Sequence, residues 1–379
     1  MITIGGRIEA TGGRSSGFDY LRIILALAVA CSHVVATTYG TDVTAQVYDG
    51  PWSTPLRTIL PMFFALSGFL VAGSLERMKT LRAFLGLRVI RIIPALAVEV
   101  TLSALILGPL LTTVPLSQYF VGVEFRTYFL NVVGEIHYHL PGVFLNLPYA
   151  GIVNSQLWTI PFELDCYAIL ALMAVFGVRR WRLVALAASL GTSALFVAVH
   201  ALHHGTDALS YKEDFGPFLV WNFLWGVTVY AYRDVLPWSK WLAMVSACAA
   251  LSTIQIDGFA SYLMPPFIAY LTVYLGLTNW RRFWFLEHAD YSYGVYLYHW
   301  VVMQTVMSFA PHRWWINLGL SIPLTIAFAA LSWHAVEKRA MLLRKPIMAA
   351  DRGDRNGSLW AVVAVLVAGI AIVILYRNA

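Results

Sequence analysis

"FDYLRIILALAVACSHVV", residues 18–35, is long and apolar enough for a lipid-embedded helix, yet it carries an arginine, Arg22, and a histidine, His33. A helix crosses a hydrocarbon slab of about 30 Å with roughly 20 apolar residues. Runs of that kind recur eleven times: 18–38, 58–75, 92–111, 157–176, 183–200, 215–232, 241–256, 261–277, 292–310, 316–336 and 359–376. Composition agrees, with 59% hydrophobic and 12% charged residues and a mean hydropathy of +0.68, against about 25% charged in soluble domains. Strand-period alternation is missing, so a membrane β-barrel is not expected. The reading is all-α: a polytopic membrane helical bundle of about ten core transmembrane helices plus one extra C-terminal helix.

Lys and Arg set the orientation. Of 26 such residues, Arg57, Arg126, Lys212, Arg313 and Arg377 fall on one set of alternating loops, Arg22 lies in a span, and the remaining twenty fall on the other set. The N-terminus is therefore expected in the cytoplasm, and the formal charge of +6 reflects topology; nucleic acid is not implied. The polar start lacks a cleavage site, so the first helix should remain as an anchor. Cys31, Cys166 and Cys248 all fall in spans and suggest neither a disulfide framework nor a metal site. The expected domains are a cytoplasmic segment 1–17, a working body 18–340, a basic linker 341–358 and an additional helix 359–379. The interval 112–156 suits a lid or a sugar-binding surface as well as plain packing. The halves share no repeat, which weakens the alternative of a secondary transporter or flippase for a small or glycan substrate.

Arg22 and His33 are eleven residues apart, which on a helix is three turns plus about 20° and a rise of about 16 Å. They share a face, with His33 near mid-membrane, where an ionisable group is functional by default. An imidazole there suits activation of a hydroxyl. In "PMFFALSGFLVAGSLER", Ser67 and its small neighbours permit close packing or a local break. Arg88 and Arg91, in "LRAFLGLRVIRII", share a face and suit phosphate recognition. "SQLWTIPFELDCY" places Trp158 at the outer interface and Glu163 about 8 Å deeper, where it could orient His33 or bind substrate hydroxyls. "ADYSYGVYLYHW" places Tyr293 near the inner end of its helix and His299 deep in the membrane; Glu337 is expected to pair with the basic inner loops.

Taken in order, the Arg-x10-His block (Arg22, His33), "FFALSGFL" (63–70), Arg-x-x-Arg (Arg88, Arg91), "LWTIPFELDCY" (157–167) and "SYGVYLYH" (292–299) resemble the membrane acyltransferase-3 family. The resemblance spans roughly residues 17–340, with departures at Cys166 and after Glu337. It implies transfer of an acyl group, acetyl by default and succinyl as the alternative, from cytoplasmic acetyl-CoA or another acyl-CoA to a hydroxyl of a surface or secreted polysaccharide or its lipid-linked precursor. His33, Arg22 and Glu163 are then the catalytic set. Arg88, Arg91, Ser67 and Tyr293 would bind the donor, and Trp158, Tyr167 and His299 the substrate; no metal is predicted. The implied setting is the bacterial inner membrane, with polysaccharide export machinery as an implied partner. His33 acts either as general base or as transient acyl carrier.

Overall fold

The computed structural model describes residues 2–13, 15–178, 182–204, 215–255, 263–281, 283 and 289–353. Among these the chain is helical, and no strand is formed beyond a single bridge between Thr3 and Pro237. Ten long helices follow one another: α1 (Ser16–Tyr39), α2 (Ser53–Arg77), α3 (Leu81–Leu102), α4 (Ile160–Val175), α5 (Arg182–His204), α6 (Phe215–Ala231), α7 (Lys240–Gln255), α8 (Met264–Gly276), α9 (Ser292–Phe309) and α10 (Trp314–Ser332). Each overlaps one expected apolar run; the eleventh run, 359–376, lies outside the described residues. Among the described residues, five stretches are long and apolar enough to cross a membrane by themselves: Ser16–Tyr39, Ser53–Arg77, Leu81–Leu111, Ser155–Val175 and Trp314–Asp351. Shorter apolar stretches are Arg182–Leu195, Lys240–Ser252 and Met264–Gly276; α8, at 13 residues, spans only about 20 Å.

One boundary differs in a way that matters for the site. The apolar run expected from 92 is preceded by eleven residues already in helix, because α3 starts at Leu81. Thr80 caps it, its hydroxyl accepting from Ala83 N at 3.3 Å. Asp351 adds a second anchor, accepting from the Lys79 and Thr80 amides at 2.9 and 2.7 Å. Arg88 and Arg91 thus stand about two and three turns inside a helix, where charge counting alone had placed them in a loop. Asp351 belongs to a helix, Arg344–Gly353, inside the segment expected as a linker, and this helix docks on α3.

Small residues decide the tightest crossing. A Cβ at Gly68 would strike the Phe223 carbonyl, and one at Gly226 the Ala65 carbonyl, so α2 and α6 meet backbone to backbone. The break that these small residues could have permitted does not occur: α2 runs unbroken from Ser53 to Arg77, with Pro61 inside it. The segment 112–156 is packed, with Tyr119, Tyr128, Leu140 and Val143 buried in the same core as α3 and α4. The Tyr119 hydroxyl donates to Ala104 O at 2.7 Å. Glu99 of α3, fully buried, accepts from Ser103 Oγ and Asn154 Nδ2 at 2.7 and 2.5 Å. Gln156 Nε2 donates to Leu297 O of α9 at 2.6 Å, tying the segment to the helix that carries His299.

Candidate active site

The first cluster lies at the end of the bundle where α1 and α9 begin. Arg22 Nη1 and Arg91 Nη2 converge on Asp290 Oδ2 at 3.2 and 2.7 Å, while Arg91 Nη1 reaches Glu337 Oε2 at 3.2 Å. Asp290 Oδ1 accepts from the Ser292 hydroxyl at 2.5 Å and its amide at 3.3 Å. Burial alone would raise the Asp290 carboxyl, but Arg91 and Arg22, with the Ser292 donors, outweigh it and hold the group at about 2. Glu337 stands at the end of a π turn, Trp333–Glu337, that continues α10, a wide turn of the kind found at functional positions. Its partner is Arg91, one of the basic residues that the charge count gave to the inner loops and that the structure places on α3.

Beside this cluster a cavity of about 140 Å³ opens among α1, α2, α3, α4, α6 and α9. Seven of the ten residues singled out in the sequence line it: Arg22, Ser67, Arg88, Arg91, Glu163, Tyr167 and Tyr293. Phe63, Phe64 and Phe223 supply apolar wall. The two arginines of the Arg-x-x-Arg block differ. Arg91 is fully engaged by two carboxyl groups, whereas Arg88 donates to Ser74 Oγ at 3.1 Å, lies 5.8 Å from the Tyr167 ring, and keeps a buried Nε with no partner among the described residues. Glu163 accepts from the Tyr167 hydroxyl at 2.5 Å, so its contact is with the cavity wall and not with His33. Tyr293 donates to Ile92 O at 3.1 Å, with Arg91 over its ring.

The second cluster sits deeper along α1 and α9. His33 Nδ1 and His299 Nε2 are 2.7 Å apart, and the two rings lie 16° from parallel. Trp300 meets the His33 ring edge-on at 5.0 Å, and its indole N–H donates to Ile152 O at 3.2 Å. Arg22 and His33 both meet the chain segment 290–299, but through different residues, Asp290 and His299. Neither histidine lines the cavity. It ends against Phe63, Thr159 and Tyr296, and the Tyr296 ring is 5.9 Å from that of His299. The Tyr296 hydroxyl is pinned by Thr159 Oγ1 at 2.6 Å and by Gln156 O at 3.1 Å. Trp158 stays apart, its ring packed edge-on against Phe162.

Reading the sequence passed over Asp290, Tyr296 and Glu99. Glu99 carried a signal that could have been used, a carboxyl in the middle of the run "IPALAVEVTLSALIL". Asp290, two residues ahead of a helix start, looks like an ordinary turn acid, and nothing local reveals that it bridges two arginines.

The sequence profile of an acyltransferase domain family matches residues 15–334. The chain is 29% identical to nodulation protein 10 of Rhizobium leguminosarum bv. viciae, over 91% of this chain and 98% of that protein. It is 24% identical to an O-acetyl transferase of Shigella phage Sf6, over 89% of this chain and 99% of that protein. No solved structure matches.

Proposed function

The chain belongs to the acyltransferase-3 family, a multi-pass membrane acyltransferase, and from that premise we propose that it moves an acetyl group from acyl-CoA to a carbohydrate hydroxyl across the bacterial inner membrane, with His33 as general base. Ten helices span in this reading, with the N-terminus and the arginine-bearing end in the cytoplasm. The acceptor is a surface polysaccharide or its lipid-linked precursor, approaching from the opposite face. The name of the phage relative, O-acetyl transferase, favours acetyl as the group moved.

The observation that carries the reading is the sequence of environments along α1 and α9: a guanidinium-lined cavity, one aromatic ring at its end, then a histidine pair. Donor phosphates suit the arginine end, where a planar guanidinium matches phosphate oxygens. The apolar walls from Phe63 to Phe223 suit the uncharged arm that carries the thioester. His33 takes the proton of the acceptor hydroxyl as its oxygen attacks the thioester carbonyl. The C–O bond forms, the C–S bond breaks, and the thiolate recovers the proton.

Losing a general base costs about 10² to 10⁴ in rate, so His33→Ala, normally expressed, should lose that much acyl transfer in proteoliposomes supplied with acyl-CoA. Transfer at the parent rate would remove His33 from the chemistry. Proton NMR of envelope polysaccharide from deletion and complemented strains should differ in ester-linked acetyl signals; identical spectra would rule out that acceptor.

A further inference from the structure

The two histidines differ in what their nitrogens face. His299 Nδ1 lies 2.8 Å from Tyr296 O and 3.2 Å from Val295 O, the carbonyls three and four residues back on its own helix. Carbonyl oxygens only accept, so Nδ1 of His299 carries the hydrogen. His299 is fully buried, and among the described residues no carboxylate pairs with either ring. A second proton on so buried a ring would leave an uncompensated charge. In the neutral ring with hydrogen on Nδ1, Nε2 is a bare lone pair, and it is this atom that lies 2.7 Å from His33 Nδ1. The hydrogen of the bridge therefore belongs to His33.

We infer that His299 is a positioning residue that holds His33 in the tautomer with hydrogen on Nδ1 and the lone pair on Nε2, which makes Nε2 the basic atom presented to the acceptor hydroxyl. The role rests on the reading of His33 as general base; the tautomer itself does not. A free imidazole can interconvert its tautomers, and only one of them has its lone pair in the right place, so an orienting acceptor on the far nitrogen is a recurrent need of histidine bases. Here the acceptor is a second imidazole, anchored to helix carbonyls and backed by Tyr296, while Trp300 packs edge-on against the His33 ring. When Nε2 of His33 gains the substrate proton, the bridge becomes a charge-assisted hydrogen bond. The proton is not passed on: Nδ1 of His299 already has its hydrogen, and that hydrogen points at carbonyls. It stays on His33 until the thiolate takes it back, so one O–H and one C–S bond are exchanged for one C–O and one S–H bond, with no other reactant.

The test is solid-state ¹⁵N NMR of protein labelled at histidine and reconstituted in bilayers, with the His33 signals identified by their loss in His33→Asn. A protonated Nδ1 and a bare Nε2 are expected on His33; hydrogen on Nε2 would overturn the inference. His299→Phe removes the acceptor and should move His33 toward the other tautomer, while His299→Gln, which offers a carbonyl oxygen, should preserve it. An unchanged His33 spectrum in His299→Phe overturns the inference as well. In the acyl-transfer assay, His299→Phe should lower kcat about 10²- to 10³-fold, less than the roughly 10⁴ seen where a protease histidine adopts the wrong tautomer, with KM for acyl-CoA unchanged and with substantial rescue in His299→Gln. Equal losses in Phe and Gln variants, with the parent tautomer kept in both, would assign His299 a packing role only. If the spectra come out as expected and His33→Ala retains activity, the tautomer stands and the general-base reading falls.

Discussion

The arginine end and the histidine pair solve the problem of polarity in lipid in opposite ways. At the arginine end, charge is balanced by charge: Asp290 joins Arg22 to Arg91, and Glu337 takes the other fork of Arg91. Deeper in, neutral rings satisfy one another, with Tyr296, Trp300 and helix carbonyls completing the set. Between the two stands Arg88, with a hydroxyl, an aromatic ring and one buried N–H that no atom of the described residues accepts. A buried group left with donor capacity facing a cavity has room for a partner that the fold does not supply, a water or a ligand atom. Of the two arginines three residues apart, Arg91 is committed to the fold, and in the proposed reading Arg88 is the one that meets the donor.

Removing Arg91 tests that division most severely. Arg91→Ala leaves the half-buried Asp290 with Arg22 alone and strips the buried Glu337 of its guanidinium; deleting one partner of a buried ion pair costs about 3–5 kcal/mol, and less where a partner is partly exposed. The expected result is a variant that loses its monodisperse peak in detergent or unfolds at a much lower temperature. Should it be as stable as the parent, the network is dispensable and the distinction from Arg88 fails.

Arg88→Ala comes next. It removes a charge from the cavity without orphaning a carboxylate pair, so the fold should persist. A hydrogen bond to a charged group is worth about 1.5–3 kcal/mol, which at about 1.4 kcal/mol per decade is roughly 10- to 100-fold. That loss should appear in KM for acyl-CoA, measured at saturating acceptor. An unchanged KM with a lowered melting temperature would place Arg88 with Arg91 as a structural residue.

How far these distinctions were legible in the sequence follows from the range of each interaction. Helices were readable because an apolar run of lipid length records its own environment, and the shared face of Arg22 and His33 followed from helix geometry alone. The start of α3 was misplaced because Arg82, Arg88 and Arg91 read as loop charge to a count of Lys and Arg, although Thr80 caps a helix there. Partners were the illegible part. His33 and His299 are 266 residues apart, and Arg22 and Asp290 are 268 apart; which of them meet depends on the rotation and depth of α9 against α1, and no local pattern encodes that. Close packing at Gly294, where a Cβ would press on Ala329, helps fix that placement by holding α9 against α10.

The smallest expected effect probes the arginine end from its other side. Glu337 is 3% exposed and bonds Arg91 Nη1 through Oε2, while Oε1 accepts from the Ser332 hydroxyl at 3.2 Å. Glu337→Gln keeps the shape and leaves one amide oxygen for Arg91, and Asp290, held ionised by Arg91 and Arg22, still balances part of the charge. What is lost is the difference between a charge-assisted and a neutral hydrogen bond, about 1 kcal/mol. Thermal unfolding in detergent should therefore shift modestly, and far less than for Arg91→Ala, with KM for acyl-CoA unaltered. A shift as large as that of Arg91→Ala would show that Glu337, and not Asp290, is the anion on which the arginine end depends, and the contrast drawn between committed and available arginines would then have to be redrawn around α10.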